Sequence, residues 1–398
     1  MSLRLLQEVQ HKLRTLDEEG LRRQLRVTQS PCAPEVQVNG QTLLAFNSND
    51  YLGLANHPRV IAALQEGAQR YGVGSGASHL ISGHSQAHAE LESCLAATQA
   101  GHIPEARALY FCTGYMANLA VIGALADVDR TQCTFFSESL NHASLIDGIR
   151  LARVPFELYP HCDVAALARQ LQACTSRYKV VVTDSVFSMD GDIAPLRDLL
   201  QVCEQHDALL LIDDAHGFGL LGEHGVGALS HFGLHSPRLI YMGTLGKAAG
   251  VGGAFVAAHR DWVEWMVQRA RPYIYTTAAP PALAHALLVS LSLILGEEGD
   301  ARRAHLQGLI ERFAHDARLK HLDRWPSRTA IQPVILGTNA AVLAASSQLQ
   351  AAGLWITAIR APTVPSGTAR LRITLSAAHT DAQLDRLIAA LSQLHASP

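Results

Sequence analysis

The sequence predicts an α/β protein with a large, mostly parallel sheet domain and a smaller α+β domain at its C-terminal end. Seven short apolar runs alternate with helical patterns between residues 46 and 285. Most of these runs are continuous, which is typical of strands that helices cover on both faces. The remaining third has strand candidates without this regular alternation. We therefore expect an N-terminal helix and extended segment over 1–45, a large domain over 46–285 and a small domain over 286–398.

The composition is that of a globular protein. Of the 398 residues, 48% are hydrophobic and 17% are charged, so a large core can form and a disordered chain or a coiled coil is excluded. The net charge is −3 and no block of Lys or Arg stands out. This near-neutral balance argues against a protein that binds nucleic acid or a membrane surface through its charge.

The expected location is the cytoplasm. No stretch of the chain reaches about 18 consecutive apolar residues, so we expect no membrane-spanning helix. The N-terminal segment mixes both charges and lacks the apolar core of a secretory signal. The seven cysteines are scattered and form no CxxC pair. They indicate thiols of a reducing compartment, and neither a disulfide framework nor a zinc site is expected.

The elements that precede the sheet begin with an amphipathic helix over 1–26. Its apolar stripe at helical spacing consists of Leu3, Leu6, Val9 and Leu13. The next elements are an extended piece at 43–46, a helix from 58 to 71 that begins with a proline, a Gly- and Ser-rich loop over 72–85 and a helix to about residue 100.

The sheet and the C-terminal third follow in order. The seven predicted strands of the sheet lie at 108–111, 133–136, 156–159, 180–183, 209–212, 239–242 and 254–257. After them we expect helices at 281–297, 299–317 and 339–352, strands at 331–336, 355–359 and 371–375, and a final helix. No internal repeat or low-complexity linker interrupts this order.

The strongest local signal is the segment ALLLIDDAHGFG, where a buried strand leads directly into two carboxylates. Ligands bind beyond the carboxyl ends of strands in open α/β sheets. Successive strand residues face opposite sides, so Asp213 and Asp214 diverge, and Asp213 is better placed to meet His216. A carboxylate buried there needs a cation, which could be a metal ion, an Arg or a protonated ring nitrogen. A helix-capping or turn Asp is the alternative interpretation.

A lysine in a glycine-rich turn is the second signal. Lys247 lies in YMGTLGKAAGVGG, after the strand at 239–242. An NTPase phosphate loop would need Ser or Thr after the lysine, and Ala248 stands there, so that interpretation fails. A partly desolvated lysine can instead act as a Schiff-base nucleophile, because desolvation lowers its pKa. A solvated loop lysine is the alternative.

Three weaker signals also follow predicted strands. Gly114 and Tyr115 begin a helix and would present backbone N–H groups to a phosphate. His142 and Ser188 each follow a strand, where a capping or turn role is the alternative. The chain has no GxGxxG after a strand and no GxSxG, which excludes a dinucleotide fingerprint and a hydrolase nucleophile elbow.

Together these signals match one family. The sequence resembles the α-oxoamine synthases, which are pyridoxal 5'-phosphate (PLP) enzymes with the aspartate-aminotransferase fold, also called fold type I. The resemblance covers nearly the whole chain. It is carried by FNSNDYLGLANHP (46–58), GSGASHLISGHS (74–85), LNHASLIDG (140–148), VVVTDSVFSMDGDIAPL (180–196), LLLIDDAHGFGLLGEHGVG (209–227), GTLGKAAGVGG (243–253) and AIRAPTVPSGTARLRITLSAAH (358–379).

The resemblance implies a set of cofactor contacts and no metal. Lys247 would bind PLP as a Schiff base and transfer the substrate proton, His142 would be the second catalytic residue, and Asp213 would pair with the ring nitrogen. The other implied contacts are His142 stacked on the ring, His216 and Ser188 at the phenolic oxygen, Gly114, Tyr115 and Thr244 at the phosphate, and Thr276 or Thr277 at the phosphate of a partner subunit. A homodimer with shared active sites is therefore expected.

The resemblance also implies the substrates. Arg360 would bind the amino-acid carboxylate through a bidentate pair of hydrogen bonds, and Arg22, Thr363 and His142 would line the substrate site. The reaction would be the decarboxylative condensation of an amino acid with an acyl thioester. The tail motif at 358–379 is most similar to the branch that uses L-alanine and pimeloyl-CoA or pimeloyl-acyl carrier protein in biotin synthesis.

Two alternatives stay open at this point. One is a sister enzyme that uses glycine, such as 2-amino-3-ketobutyrate ligase or 5-aminolevulinate synthase. The other is an inactive regulatory subunit, against which Lys247, Asp213 and His216 together argue. Two positions depart from the usual pattern: Ala361 replaces a common second proline, and Asp184 stands where Glu also occurs.

Overall fold

The computed structural model describes residues 3–394, and strands and helices joined by loops occur along this whole range. The strands are β1 (Glu35–Val38), β2 (Gln41–Ala45), β3 (Ala106–Phe111), β4 (Cys133–Glu138), β5 (Phe156–Tyr159), β6 (Tyr178–Asp184), β7 (Ala208–Asp213), β8 (Leu239–Thr244), β9 (Ala254–His259), β10 (Asp323–Arg324), β11 (Ile331–Gly337), β12 (Leu354–Trp355), β13 (Thr357–Ile359) and β14 (Ala369–Thr374). The helices are α1 (Arg4–Glu18), α2 (Pro58–Tyr71), α3 (Gln86–Gln99), α4 (Gly114–Ala126), α5 (Ala143–Ala152), α6 (Val164–Ala173), α7 (Leu196–Gln205), α8 (Ala228–Phe232), α9 (Arg260–Arg269), α10 (Arg271–Ile274), α11 (Pro281–Ile294), α12 (Glu297–His315), α13 (Asn339–Ala351) and α14 (Asp381–Leu391).

A seven-stranded sheet dominates the described part of the chain, with the order β3-β9-β8-β7-β6-β4-β5. Strands β5, β4, β6, β7 and β8 are mutually parallel, and β9 is antiparallel to both of its neighbours. All seven predicted strands are confirmed. Every residue of β4 and of β8 is buried, as expected for strands that helices cover on both faces.

The contacts divide the chain into two compact units. One consists of Asn49–Ser188 and Asp192–Leu306, and it contains the seven-stranded sheet. The other combines the chain up to Ser48, Met189–Gly191 and the chain from Gln307 onwards. This division places the N-terminal and C-terminal segments in one unit, and the domain boundaries expected after residues 45 and 285 remain predictions.

Strand pairing explains why the second unit combines both ends of the chain. Strand β12 pairs in parallel with β2, and β2 pairs with β1, to form a three-stranded sheet. Strands β10, β11, β14 and β13 form a four-stranded antiparallel sheet. The single strand predicted at 355–359 was wrong in this respect, because its residues split between the two sheets.

The N-terminal helix is shorter than predicted. Helix α1 ends at Glu18, two residues before Gly20, which has φ +64° and adopts the left-handed conformation that ends many helices. The first two residues of the predicted helix lie outside the described residues. No residue of α1 is buried, so its apolar stripe stays exposed among residues 3–394. No single helix among residues 3–394 is long and apolar enough to span a membrane, and one bent pair, α11 with α12, meets those criteria only jointly.

The topology brings several strand ends to one edge of the large sheet. Parallel strands β4, β6, β7 and β8 all end at this edge, and β3 runs in the same direction, because β9 is antiparallel to both β3 and β8. The loops that follow these strands carry the residues that the sequence indicated.

Candidate active site

Asp213 is a buried carboxylate at the end of β7, with 3% of its surface exposed. Its Oδ1 accepts a hydrogen bond from the Ala215 N–H at 2.9 Å, and its Oδ2 accepts one from Asn118 Nδ2 at 2.7 Å. Both donors are neutral. A buried carboxylate held only by neutral donors favours a nearby cation, which a protonated ring nitrogen can supply.

Asp214 has a different environment, as strand alternation predicts. Its carboxylate accepts hydrogen bonds from the Ser185 hydroxyl, from Tyr241 Oη at 2.6 Å and from the Ala228 N–H at 2.8 Å. Burial raises the pKa of Asp214 to about 6. Its acceptor positions are used to join β8 and the loops around it, so Asp214 has a structural role.

Lys247 lies next to His216, and a chain of hydrogen bonds continues behind that histidine. Lys247 Nζ is 3.0 Å from His216 Nε2, and His216 Nδ1 is 2.6 Å from Tyr51 Oη. Tyr51 Oη also lies 3.2 Å from Asn49 Oδ1. These contacts hold the His216 ring between Tyr51 and Lys247, with Nε2 facing the lysine.

A glycine allows the lysine turn to approach this tyrosine segment. Gly250 has φ +70°, and a Cβ there would lie 2.4 Å from the Ala55 nitrogen and 2.5 Å from the Leu54 carbonyl carbon. Only glycine tolerates both the conformation and the contact. The turn that carries Lys247 therefore packs directly against the segment that follows Tyr51.

Replacing Tyr51 with Phe tests the orienting role of its hydroxyl. We expect Tyr51→Phe to lower kcat by up to about tenfold, because one hydrogen bond of roughly 1 kcal/mol that holds the His216 ring in place is lost. The pH dependence of the visible cofactor band should also shift. The matched control is Tyr71→Phe, since the buried Tyr71 hydroxyl has no hydrogen-bond partner among the described residues. A Tyr51→Phe enzyme with an unchanged pH profile would contradict this role.

The first turn of α4 forms a cradle for an anion. Helix α4 begins at Gly114, and the Thr113 hydroxyl caps it by accepting from the Met116 N–H at 3.2 Å. The N–H groups of Gly114 and Tyr115 have no partner within a helix at these positions. A Cβ on Gly114 would lie 3.9 Å from Thr244 Oγ1, so Thr244 and the helix N-terminus border the same space. A phosphate is the natural ligand there.

His142 contacts Asp184 directly and is linked to Asp213 through Ser144 and Asn118. The His142 N–H donates to Asp184 Oδ2 at 2.7 Å, and its Nδ1 lies 2.7 Å from Ser144 Oγ. Ser144 also accepts from Asn118 Nδ2 at 2.8 Å, and Asn118 contacts Asp213. Burial lowers the pKa of His142, which favours a neutral ring. Burial, and then the charge of Asp213, raises the pKa of Asp184 well above its ordinary value.

The structure shows fewer contacts for the other three residues that the sequence predicts at the cofactor. Ser188 lies in the loop after β6 and is half-buried. Thr276 is half-buried and Thr277 is exposed, and the Thr277 carbonyl is 3.7 Å from the Cys112 sulfur, two residues before the α4 turn. The contacts of Ser188, Thr276 and Thr277 with a cofactor remain predictions.

The substrate-binding candidates belong to the other compact unit. Arg22 forms an ion pair with Asp17 at 2.5 Å. Arg360 follows β13 and donates from Nη1 to the Gly20 carbonyl. The Thr363 N–H donates to the Arg360 carbonyl at 3.0 Å, which holds these two residues in one turn. Their substrate contacts stay predictions.

The residues at this edge fit PLP in three respects. Lys247 offers an amine beside an imidazole, the α4 turn and Thr244 offer a phosphate cradle, and Asp213 offers a buried carboxylate for a ring nitrogen. In addition, Asn118 Oδ1 is buried and has no hydrogen-bond partner among the described residues. A polar ligand at this edge would give that atom a partner.

Sequence reasoning missed four residues of this network: Tyr51, Asn118, Asn141 and Ser144. Asn141 bridges β4 and β6, because its Nδ2 donates to the Val182 carbonyl at 2.8 Å and its Oδ1 accepts from the Asp184 N–H at 2.9 Å. Three of the four lie in or near quoted motifs, but nothing in a motif says which distant residue its side chain contacts. Asn118 lies on α4, where it resembles an ordinary polar residue of an apolar helix.

Comparison with known proteins identifies close relatives. Residues 41–391 match the family model described as aminotransferase class I and II. The 8-amino-7-oxononanoate synthase of Janthinobacterium sp. (strain Marseille) is 61% identical over 391 residues, which cover 98% of each chain. The 8-amino-7-oxononanoate synthase of Bordetella petrii is 60% identical over 392 residues, also 98% of each chain.

Solved structures show the same similarity in three dimensions. A Sphingomonas wittichii serine palmitoyltransferase is 29% identical with a TM-score of 0.88, covering 98% of this chain and 96% of that one. A high-resolution structure of SPT with PLP is 27% identical with a TM-score of 0.88, covering 97% and 96%. An 8-amino-7-oxononanoate synthase from Francisella tularensis is 29% identical with a TM-score of 0.74, covering 88% and 97%.

Proposed function

The chain belongs to the aminotransferase class I and II family, and we propose that its reaction is the decarboxylative condensation of L-alanine with a pimeloyl thioester. The chain is a PLP-dependent acyltransferase of biotin biosynthesis, with the activity of an 8-amino-7-oxononanoate synthase. The observation that carries this conclusion is the 61% identity to such an enzyme across 98% of both chains. The products are 8-amino-7-oxononanoate, CO2 and the free thiol carrier.

Bound PLP supplies a ring that accepts electrons from the amino-acid carbon during proton loss, carbon–carbon bond formation and CO2 release. The protein supplies the proton transfers and the orientation. Lys247 Nζ takes and returns the proton of the substrate Cα, and His216 Nε2 lies 3.0 Å from that amine. The buried carboxylate of Asp213 would pair with the ring nitrogen and keep a proton on it.

Different residues would bind the phosphate and the ring of PLP. The N–H groups of Gly114 and Tyr115 and the Thr244 hydroxyl would hold the phosphate, which the closeness of Thr244 to Gly114 supports. His142 would stack on the ring, and the hydrogen bond from its backbone N–H to Asp184 holds the histidine in position. Ser188 and His216 would hydrogen-bond the phenolic oxygen.

We propose that Arg360 binds the carboxylate of alanine. A guanidinium can hold a carboxylate through two parallel hydrogen bonds, which fixes its orientation as well as its position. The turn that joins Arg360 to Thr363 supports this role, because it fixes the backbone from which the guanidinium extends. Orientation matters because it decides which bond of the amino-acid carbon is weakened.

The acyl chain of the second substrate ends in a carboxylate, which needs a cation or polar groups. We propose Arg22 for this role, with Thr363 lining the same site. Arg22 is about half exposed and already forms an ion pair with Asp17, so its guanidinium is suited to a carboxylate. A substrate carboxylate would compete with Asp17 for it.

Replacing Arg22 with Ala tests the acyl site. We expect Arg22→Ala to raise the KM of the pimeloyl thioester by about tenfold, the loss of one charge-assisted hydrogen bond of roughly 1.5 kcal/mol. The affinity for alanine, followed by the visible band of the cofactor, should not change. The matched control is Arg23→Ala, one residue further along the same exposed segment. An equal effect of both substitutions would contradict the assignment of Arg22.

The substrate pair is tested by a direct comparison of rates. Purified enzyme should condense L-alanine with pimeloyl-CoA or pimeloyl-acyl carrier protein faster than glycine with acetyl-CoA or succinyl-CoA. Some glycine turnover is compatible with the proposal, because one methyl group supplies only about 1–3 kcal/mol of discrimination. Faster condensation of glycine with the short acyl thioesters would favour the sister enzymes instead. Comparing the two pimeloyl carriers identifies the natural donor.

We further propose a homodimer with shared active sites in the cytoplasm. The exposed Thr277 and the half-buried Thr276 support a contact with a partner subunit, whose phosphate site one of them would complete. The described cysteines are all free thiols, which is typical of a reducing compartment.

A further inference from the structure

Three side chains of metal-ligand type meet at the edge of the large sheet, beyond the ends of β5 and β6. His161 and Cys162 follow β5, and Asp192 lies in the loop after β6. Their ligand atoms all lie within 4.8 Å of one another. None of the three has a part in the proposed reaction, and sequence spacing did not indicate them, because Asp192 is distant in the chain.

The distances between these atoms are close to those around a tetrahedral zinc ion. Zinc binds nitrogen at about 2.0–2.1 Å and thiolate sulfur at about 2.3 Å, which separates the two ligands by about 3.6 Å. His161 Nε2 lies 3.7 Å from the Cys162 sulfur. It lies 2.8 Å from Asp192 Oδ2, which is a hydrogen-bond length, so this pair would open by roughly half an ångström around an ion.

The other nitrogen of His161 is held as in known zinc sites. Nδ1 lies 2.9 Å from Oε1 of Glu138, whose side chain is only 1% exposed. Metal-binding histidines almost always donate their second N–H to a carboxylate or a carbonyl, which fixes the ring and strengthens the ligand. The ring also packs edge-on against buried Phe187, with 4.6 Å between centroids. Nε2 is therefore directed at Asp192, and the Cys162 sulfur lies beside the ring, 3.7 Å from Nε2 and 3.8 Å from Nδ1.

Two further features suggest that the cluster holds a ligand. Cys162 has φ +55°, a left-handed conformation that non-glycine residues adopt mainly under a local constraint. Asp192 Oδ1 is buried and has no hydrogen-bond partner among the described residues. A metal ion would give this oxygen a partner. Binding of the thiol to the same ion would be the constraint that holds Cys162 in its left-handed conformation.

The charges of the cluster also favour a divalent cation. The carboxylates of Glu138 and Asp192 and the thiol of Cys162 surround the single imidazole of His161. A zinc ion bound by Asp192 and Cys162 would neutralise part of this negative charge.

A second histidine cluster is a weaker candidate. His79, His84 and His88 also lie close together. However, His88 Nδ1 accepts from the Ser85 N–H at 3.0 Å, and its Nε2 lies 2.9 Å from the Ala279 carbonyl. Both nitrogens of His88 are thus used, which leaves two histidines, 3.0 Å apart at their Nδ1 atoms, to face each other.

We propose that His161, Cys162 and Asp192, with Glu138 behind the histidine, form a zinc site whose fourth ligand is water. The three residues supply the nitrogen, sulfur and oxygen donors that zinc accepts. Because Asp192 comes from a different loop, the ion would tie the turn after β5 to the loop after β6. Its binding should therefore raise the thermal stability of the enzyme by mass action.

Cobalt and zinc titrations of the untagged, PLP-loaded enzyme test this proposal. We expect one equivalent of Co²⁺ to bind with the visible d–d absorption of four-coordinate cobalt, and Zn²⁺ to displace it. Cys162→Ser should remove the sulfur contribution to the spectrum and weaken binding at least tenfold. Glu138→Gln should weaken it by about 10–100-fold. The matched control, Cys174→Ser, carries another half-buried thiol and should bind cobalt like the unchanged enzyme.

Two outcomes would overturn the proposal. One is cobalt binding that Cys162→Ser leaves unchanged, and the other is binding that His84→Ala abolishes instead. A measurement on the unchanged enzyme avoids any folding defect of the variants. One equivalent of Zn²⁺ should slow alkylation of Cys162 by iodoacetamide, followed by mass spectrometry, and should not slow alkylation of Cys174. Equal rates at Cys162 with and without zinc would equally contradict the site.

Discussion

Replacing Lys247 with Ala is expected to stop turnover, with a loss of at least about two to four orders of magnitude in kcat. Lys247 Nζ is the amine beside His216 Nε2, and its removal takes away both the covalent link to PLP and the group that moves the substrate proton. PLP should still bind without a covalent bond, through the α4 turn and Asp213. Equilibrium dialysis of PLP and a turnover assay measure the two effects separately.

Lys179→Ala is the matched control for this substitution. Lys179 lies at the start of β6, at the end of the strand away from the site. Its Nζ donates to the His206 carbonyl at 3.2 Å, so its loss should leave kcat unchanged. A Lys247→Ala enzyme that turns over normally would remove the basis of the proposed site. So would a loss of activity in Lys179→Ala with activity retained in Lys247→Ala.

Asp213→Asn is the substitution with the second largest expected effect. Removing one partner of a buried charge pair costs about 3–5 kcal/mol, and each 1.36 kcal/mol is roughly tenfold in rate. Proton removal from the substrate should therefore slow by about two to four orders of magnitude, while PLP remains bound. Single-turnover kinetics with alanine, followed by the visible spectrum, measure this step directly.

Asp214→Asn provides the contrast within the same strand end. The carboxamide cannot accept all three hydrogen bonds that Asp214 accepts from Ser185, Tyr241 and Ala228. We expect a stability loss of about 1–3 kcal/mol in the free energy of unfolding, visible as a lower Tm, and a much smaller effect on proton removal. If Asp214→Asn slows proton removal and Asp213→Asn does not, the strand face was assigned wrongly.

The sheet was predictable from the sequence because its signal is local. A strand buried on both faces is a short continuous apolar run, and each of the seven runs became a strand of the sheet. The same local rule indicated that Asp213 and Asp214 diverge, and the structure gives them separate partners. The end of β7 could therefore be interpreted without knowledge of the rest of the fold.

What the sequence did not indicate depends on contacts between distant segments. The pairing of β12 with β2 joins the two ends of the chain, and no periodicity reports which strands pair. In the site, Tyr51 and His216 are 165 positions apart, and Asn118 and Asp213 are 95 apart. The zinc candidates are a similar case, because the hydrogen bond from His161 to Asp192 spans 31 positions.

Borohydride reduction followed by peptide mapping tests the central assignment most directly. Reduction makes the bond between PLP and its lysine permanent, so the labelled peptide identifies the residue that holds the cofactor. The sequence contains few competitors, namely Lys12, Lys179 and Lys320. The arrangement of Lys247 beside His216 predicts that the label appears on the peptide containing Lys247. A stoichiometric label on Lys12, Lys179 or Lys320 would contradict it.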